Sequence, residues 1–176
     1  MVNRAVFLDR DGVLNANIER DGKQVAPTSL AEFRLLPGVV DAVTKLKAAG
    51  FTIVVVTNQP DVATGRTPLA TVEAMHDLLR EKMPLDAIKA CFHTDKDNCA
   101  CRKPLPGMLL EAARELDIDL GASFMVGDRW RDTQAGLAAG CRTIFVDYGH
   151  FQEGPHQPDR TVRSLPEAVS FIIECA

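Results

Sequence analysis

The sequence predicts an α/β fold: a three-layer, Rossmann-like parallel sheet with helices on both faces. Three observations lead there. Short, largely apolar runs recur at residues 5–8, 51–56, 123–126 and 143–146, as in strands covered on both sides. Stretches with helical spacing separate them. Polar residues follow the runs at once, which is where an open parallel sheet binds its ligands.

Taken in order, the first run, Ala5-Val-Phe-Leu8, reads as a strand, and the polar, irregular stretch 15–36 as a surface loop. A helix is expected from Val39 to Ala49, stopped by Gly50. After the strand at 51–56, a second helix runs from Pro68 to Met83, with Thr67 as N-cap and Pro68 at the first helical position. A fifth strand lies near 87–92, a helix covers 107–116, and another opens after Gly127. Residues 148–160 carry two Gly, two Pro and two His and read as a loop. The chain ends in an amphipathic helix whose Leu165, Val169, Ile172 and Ile173 are expected to pack on the sheet. At 176 residues with 46% apolar side chains, one domain spanning 1–176 is expected.

Composition narrows the partners. The formal charge of -4 and the lack of basic, aromatic-rich stretches argue against nucleic acid. No apolar run approaches the roughly 18 residues of a membrane span, and no signal-peptide pattern opens the chain, so a cytoplasmic protein without membrane attachment is expected. In a reducing compartment five cysteines are not a disulfide framework. Cys141 and Cys175 stand apart and are expected to be small buried or half-buried side chains.

The strand ends carry the chemistry. Leu8 is followed by Asp9-Arg10-Asp11-Gly12, Val56 by Thr57-Asn58-Gln59, and Val126 by Gly127-Asp128. Carboxylates gathered at one edge raise each other's pKa unless a cation is present, and Mg²⁺ suits Asp9, Asp128 and a main-chain carbonyl at Asp11. Single strand-terminal aspartates commonly cap turns, but three together with a threonine point to a ligand. If that ligand is a phosphate, Asp9 is the nucleophile and Asp11 the acid and base. Thr57 would then hold phosphate oxygens while Lys103 balances their charge. A phosphoacceptor signalling domain gathers similar groups, but an acid/base two residues after the nucleophile serves turnover.

Asp9-Arg-Asp-Gly-Val-Leu-Asn, Thr57-Asn-Gln, Cys101-Arg-Lys-Pro and Gly127-Asp-Arg-Trp-Arg-Asp132 together resemble the four ordered motifs of the haloacid dehalogenase (HAD) superfamily phosphatases. The resemblance implies a Mg²⁺-dependent phosphomonoesterase with Asp9, Asp11, Thr57 and Lys103 in those roles and Asp128 on the metal. Asp132 would support Lys103 or the metal waters. With no long insert between the first two motifs, no separate cap domain is expected.

Within residues 91–104, Cys91-x-His93, five residues, then Cys99-x-Cys101 supply three thiolates and an imidazole. That set suits a tetrahedral, structural Zn²⁺ clamping Arg102 and Lys103 over the site; a disulfide or free thiols are the alternatives. Such a loop running into Cys-Arg-Lys-Pro is similar to the subgroup of heptose 1,7-bisphosphate and histidinol-phosphate phosphatases, and Pro106-Gly-Met-Leu-Leu and Leu36-Pro-Gly-Val-Val are more similar to the heptose branch. A monomer acting on a small phosphorylated metabolite, a sugar bisphosphate, is the expectation, with Asn58, Gln59, Arg66 and Arg102 contacting it. Pro60-Asp-Val-Ala-Thr64 departs from that group's usual Ser-Gly-Ile-Ala-Arg. Asp61 would repel a second phosphate, which keeps histidinol phosphate and sugar monophosphates as alternatives.

Overall fold

The computed structural model describes residues 2–149, 154 and 157–175. In chain order its elements are β1 (Ala5–Leu8), β2 (Ile18–Arg20), β3 (Lys23–Val25), α1 (Val39–Ala48), β4 (Thr52–Asn58), α2 (Leu69–Lys82), β5 (Ala87–Cys91), α3 (Gly107–Leu116), β6 (Phe124–Gly127), α4 (Trp130–Ala139), β7 (Arg142–Val146), β8 (Arg160–Val162) and α5 (Leu165–Glu174). Six strands form one sheet in the order β5-β4-β1-β6-β7-β8, every pairing parallel. This is the three-layer α/β fold that the apolar runs predict.

The alternation of side chains along each strand builds two cores. Val6, Leu8, Ile53, Val55 and Val126 face one way, onto Val43 and Leu46 of α1, Met75 and Leu79 of α2 and Val169 and Ile172 of α5. Ala5, Phe7, Val54, Val56 and Met125 face the other, onto Met108, Leu109 and Ala112 of α3 and Ala135 of α4. A fully buried side chain such as Leu46 contributes roughly 2 kcal/mol by leaving water. Because both faces are covered, the strand ends are left open to a ligand.

Several elements differ from expectation. The loop 15–36 contains the β2–β3 hairpin, turned by Asp21 and Gly22 at φ 51 and 71°. Both angles are positive, the backbone of a tight two-residue hairpin turn. Thr67 does not cap α2: Pro68 occupies the cap with an extended ψ of 141°, and Thr67 is buried beneath the preceding loop. Ile173 is exposed, one residue round the helix from the buried Ile172, and Cys175 is exposed at the end of α5. The stretch 148–160 ends in β8, a three-residue edge strand paired with β7. His150 and His156, read as solvent-facing loop residues, lie outside the described residues. Among the described residues, only the small β2–β3 hairpin is inserted between β1 and α1, and no cap domain is present.

Candidate active site

β1 lies between β4 and β6 in the sheet, so three parallel strands deliver their carboxyl ends side by side. Asp9 follows β1, Thr57 and Asn58 close β4, and Asp128 follows β6. Carboxylate oxygens of Asp9, Asp128 and Asp132 lie within 4.8 Å of one another, and all three residues are buried. Asp132 joins them because α4 begins at Trp130: one carboxylate oxygen accepts the Arg129 N–H at 3.0 Å, tying down the helix N-terminus. Its other oxygen sits 2.6 Å from Lys103 Nζ. That ammonium, 2% exposed, also donates to Asp9 Oδ1 at 2.9 Å and to the Val56 carbonyl at 2.7 Å.

Burial, followed by repulsion from Asp132, pushes the Asp9 carboxyl up to about 7 in spite of Lys103. Burial and then the charges of Asp9 and Asp132 raise Asp128 well above the usual carboxylate range. For Lys103, burial works against the charge, but Asp132 and Asp9 outweigh it and hold the ammonium above its ordinary value. Lys103 thus pairs with two of the three buried carboxylates while Asp128 faces the half-exposed Arg129 at 3.6 Å, and a hard divalent cation fits the cluster. Glycine is required beside this site: Gly12 has φ +86°, and a Cβ there would collide with the Asp128 carboxylate.

The side chain of Asp11 does not join that cluster. Asp132 joins Asp9 and Asp128 as the third carboxylate, and the main-chain carbonyl of Asp11 remains its candidate ligand atom. The reason is Arg10, which turns inward and draws the Asp11 carboxylate to itself, Nε and Nη2 donating to Oδ1 at 3.1 and 3.0 Å. Asn15 Nδ2 and Gln59 Nε2 donate to the same carboxylate at 2.9 and 2.7 Å. Asp11 still lines the cleft above Asp9.

That cleft encloses about 790 Å³ and is lined by the carboxylates, by Asn58, Gln59, Asp61, Arg66, Arg102 and Lys103, and by Lys23, Arg129, Arg131 and Tyr148. Asn58 lies in it but commits its amide to Lys103, accepting the main-chain N–H at 3.1 Å and donating to the main-chain carbonyl at 3.0 Å. Gln59, besides gripping Asp11, donates to Thr57 Oγ1 at 2.9 Å. Both amides therefore hold other site residues in place. Arg66 pairs with Asp61 at 3.1 Å, and Arg102 with Asp95 at 2.8 Å. Arg131 was not anticipated; it reaches Asp95 at 2.9 Å and stands 5.1 Å over the Trp130 ring. His76 is a buried residue of α2, and it contacts Arg10.

The four ligand atoms of Cys91, His93, Cys99 and Cys101 lie within 4.8 Å of one another. Cys91 Sγ is 3.7 Å from Cys99 Sγ and 3.5 Å from His93 Nδ1, and the Cys91–Cys101 sulfurs are closer, at 2.8 Å. Zn–S bonds of about 2.3 Å at tetrahedral angles put sulfurs about 3.8 Å apart, whereas a disulfide needs about 2.05 Å. Four soft donors around one point could hold zinc.

Comparison with known proteins supports the same reading. Residues 100–168 match the HAD-hydrolase-like family model. The D-glycero-beta-D-manno-heptose-1,7-bisphosphate 7-phosphatase of Bordetella bronchiseptica is 40% identical over 84% of this chain and 82% of its own length. That of Yersinia pestis is 43% identical over 93% of this chain and 92% of its own. A solved structure of the B. bronchiseptica D,D-heptose 1,7-bisphosphate phosphatase, complexed with magnesium and phosphate, superposes with a TM-score of 0.85 at 36% identity, covering 98% of this chain and 99% of that one. A putative HAD-like phosphatase from Mesorhizobium loti superposes at 0.76 with 30% identity, covering 99% of this chain and 88% of that one. The chain therefore belongs to the HAD-like phosphatases, in the branch that contains the heptose 1,7-bisphosphate 7-phosphatases.

Proposed function

We propose that this chain is a magnesium-dependent phosphomonoesterase that removes the 7-phosphate of D-glycero-D-manno-heptose 1,7-bisphosphate through an aspartyl-phosphate on Asp9. The observation that carries the reading is the buried cluster of Asp9, Asp128 and Asp132 around Lys103, open to a cleft of phosphate-binding character.

Asp9 Oδ1 accepts from the Arg10 N–H at 2.8 Å and from Lys103 at 2.9 Å, which fixes the carboxylate plane and leaves Oδ2 as the attacking oxygen. Oδ2 bonds to phosphorus, the phosphorus–sugar oxygen bond breaks, and Asp11 gives its proton to the departing oxygen. Asp11 then takes a proton from water; the water oxygen bonds to phosphorus, the bond to Asp9 breaks, and inorganic phosphate leaves. Lys103 balances charge on the phosphoryl oxygens through both steps. Thr57 Oγ1 already accepts from Gln59, so its own proton is left to donate to phosphate. Bound by Asp9, Asp128 and the Asp11 main chain, Mg²⁺ would neutralise the carboxylates and polarise the phosphate. Asp132 positions Lys103.

We assign a structural Zn²⁺ to Cys91, His93, Cys99 and Cys101, since a site with four protein ligands has no open position for water. Arg66 and Arg102 line the cleft as contacts for the rest of the substrate. Asp61 is paired with Arg66, so that edge of the cleft is near neutral, and a second phosphate meets less repulsion there than the sequence suggests. We further propose a single-domain, monomeric, cytoplasmic enzyme; no described helix is long and apolar enough to cross a membrane.

A phosphate-release screen with Mg²⁺ across the heptose bisphosphate, sugar monophosphates and histidinol phosphate tests the assignment. The highest kcat/KM is expected on the bisphosphate. Preference for histidinol phosphate or a monophosphate would overturn the substrate, and no release from any of them would overturn hydrolysis.

A further inference from the structure

We infer that Arg10 is a positioning residue for the second half of the reaction, holding the Asp11 carboxylate to receive the proton of the attacking water, and that His76 in turn holds Arg10. The inference rests on the mechanism proposed above.

Arg10 is 0% exposed, the largest fully buried side chain described. A guanidinium taken out of water costs several kcal/mol unless its donors are satisfied. Its side chain spends them on Asp11 and His76 and not on the carboxylate cluster: two donors grip Asp11, with Nη2 also 3.2 Å from Oδ2, and Nη1 lies 3.4 Å from His76 Nε2. The Phe33 ring, 5.5 Å away, covers it. Arg10, Asn15 and Gln59 present only N–H donors to Asp11. Those donors suit the carboxylate that takes the proton of the attacking water in the second step. An arginine donates only, so His76 Nε2 must offer its lone pair. Burial and then the charges of Arg10 and Arg80 keep that imidazole neutral, its pKa lowered to about 4.

In a two-step reaction, slowing only the hydrolysis of the phosphoenzyme lowers kcat and KM together and leaves kcat/KM in place. The test is stopped-flow turnover of p-nitrophenyl phosphate by the magnesium-loaded enzyme, because nitrophenolate leaves without a proton and isolates the second step. Arg10→Met should release nitrophenolate in a burst equal to the enzyme concentration. Its steady-state kcat should then fall roughly tenfold to a hundredfold with kcat/KM nearly unchanged. His76→Leu should show the same pattern more weakly, and His76→Gln, which keeps an acceptor for Arg10, should restore it.

A fall in kcat/KM equal to that in kcat, with no burst, would overturn the inference. Should Arg10→Met not fold, His76→Leu decides, and wild-type kinetics there would equally overturn it. Asp9→Asn separates the two levels: turnover by that variant removes the underlying mechanism, whereas a dead Asp9→Asn beside burst-free Arg10 and His76 variants removes only the role of Arg10.

Discussion

Replacing Lys103 with methionine keeps an unbranched side chain, one atom shorter, and removes its charge. In the folded protein that ammonium contacts Asp132 at 2.6 Å, Asp9 at 2.9 Å and the Val56 carbonyl at 2.7 Å, all out of water. Breaking a buried ion pair from one side costs about 3–5 kcal/mol, because the carboxylates stay behind unpaired. The lost hydrogen bond to Val56 adds about 1 kcal/mol. Against a total stability on the order of 5–15 kcal/mol, Lys103→Met should be severely destabilised without metal. Arg129, half-exposed and 3.6 Å from Asp128, is then the nearest protein cation to the cluster. At a hundred times its dissociation constant a bound ion adds about 2.7 kcal/mol, so added Mg²⁺ should stabilise Lys103→Met while activity stays lost. Urea unfolding followed by circular dichroism, with and without Mg²⁺, measures both quantities. A loss under about 1 kcal/mol, or a variant that Mg²⁺ does not stabilise, would refute the account of Lys103 as the buried counter-charge.

Gly12→Ala should weaken magnesium binding at least tenfold and cost on the order of 1–3 kcal/mol, since a left-handed backbone and a collision with Asp128 both oppose the methyl; calorimetric titration with Mg²⁺ reads the first and urea unfolding the second. His76 gives a pH signature. Its folded pKa is lowered to about 4 from 6.5, so the unfolded chain binds the extra proton, and stability present above 6.5 is lost as pH falls toward 4. By pH 5 this should amount to about 2 kcal/mol, and His76→Gln should lack that component when the two proteins are unfolded side by side from pH 7 to 5. Cys99→Ser should lower the zinc content by elemental analysis and loosen residues 91–104 to proteolysis, with the sheet signal in circular dichroism unchanged.

Much of this was legible because buried parallel strands announce themselves as largely apolar runs and their ends as sudden polarity. Leu8-Asp9 and Val126-Gly127-Asp128 show both signals within a few residues, and four ordered motifs then bring in Lys103 and Asp132. What was not legible depends on where side chains turn. Arg10 stands between two aspartates and reads as a loop residue, yet it is fully buried, and its inward turn removes Asp11 from the carboxylate cluster. Asn58 and Gln59 read as substrate contacts, but their amides find partners in Lys103, Asp11 and Thr57 that sequence spacing does not reveal. The β2–β3 hairpin did carry a local signal, Asp21-Gly22 between short runs, which the polar character of the segment obscured. For Arg160-Thr-Val162 the pattern is too short to distinguish an edge strand from a loop.

The covalent step on Asp9 is best tested by catching it. Single-turnover reaction of the magnesium-loaded enzyme with the heptose bisphosphate, quenched in acid within milliseconds and digested for mass spectrometry, should yield a phosphoryl adduct on Asp9 that disappears as inorganic phosphate appears. Phosphate appearing with no adduct on that residue at any quench time, together with wild-type turnover by Asp9→Asn, would contradict it.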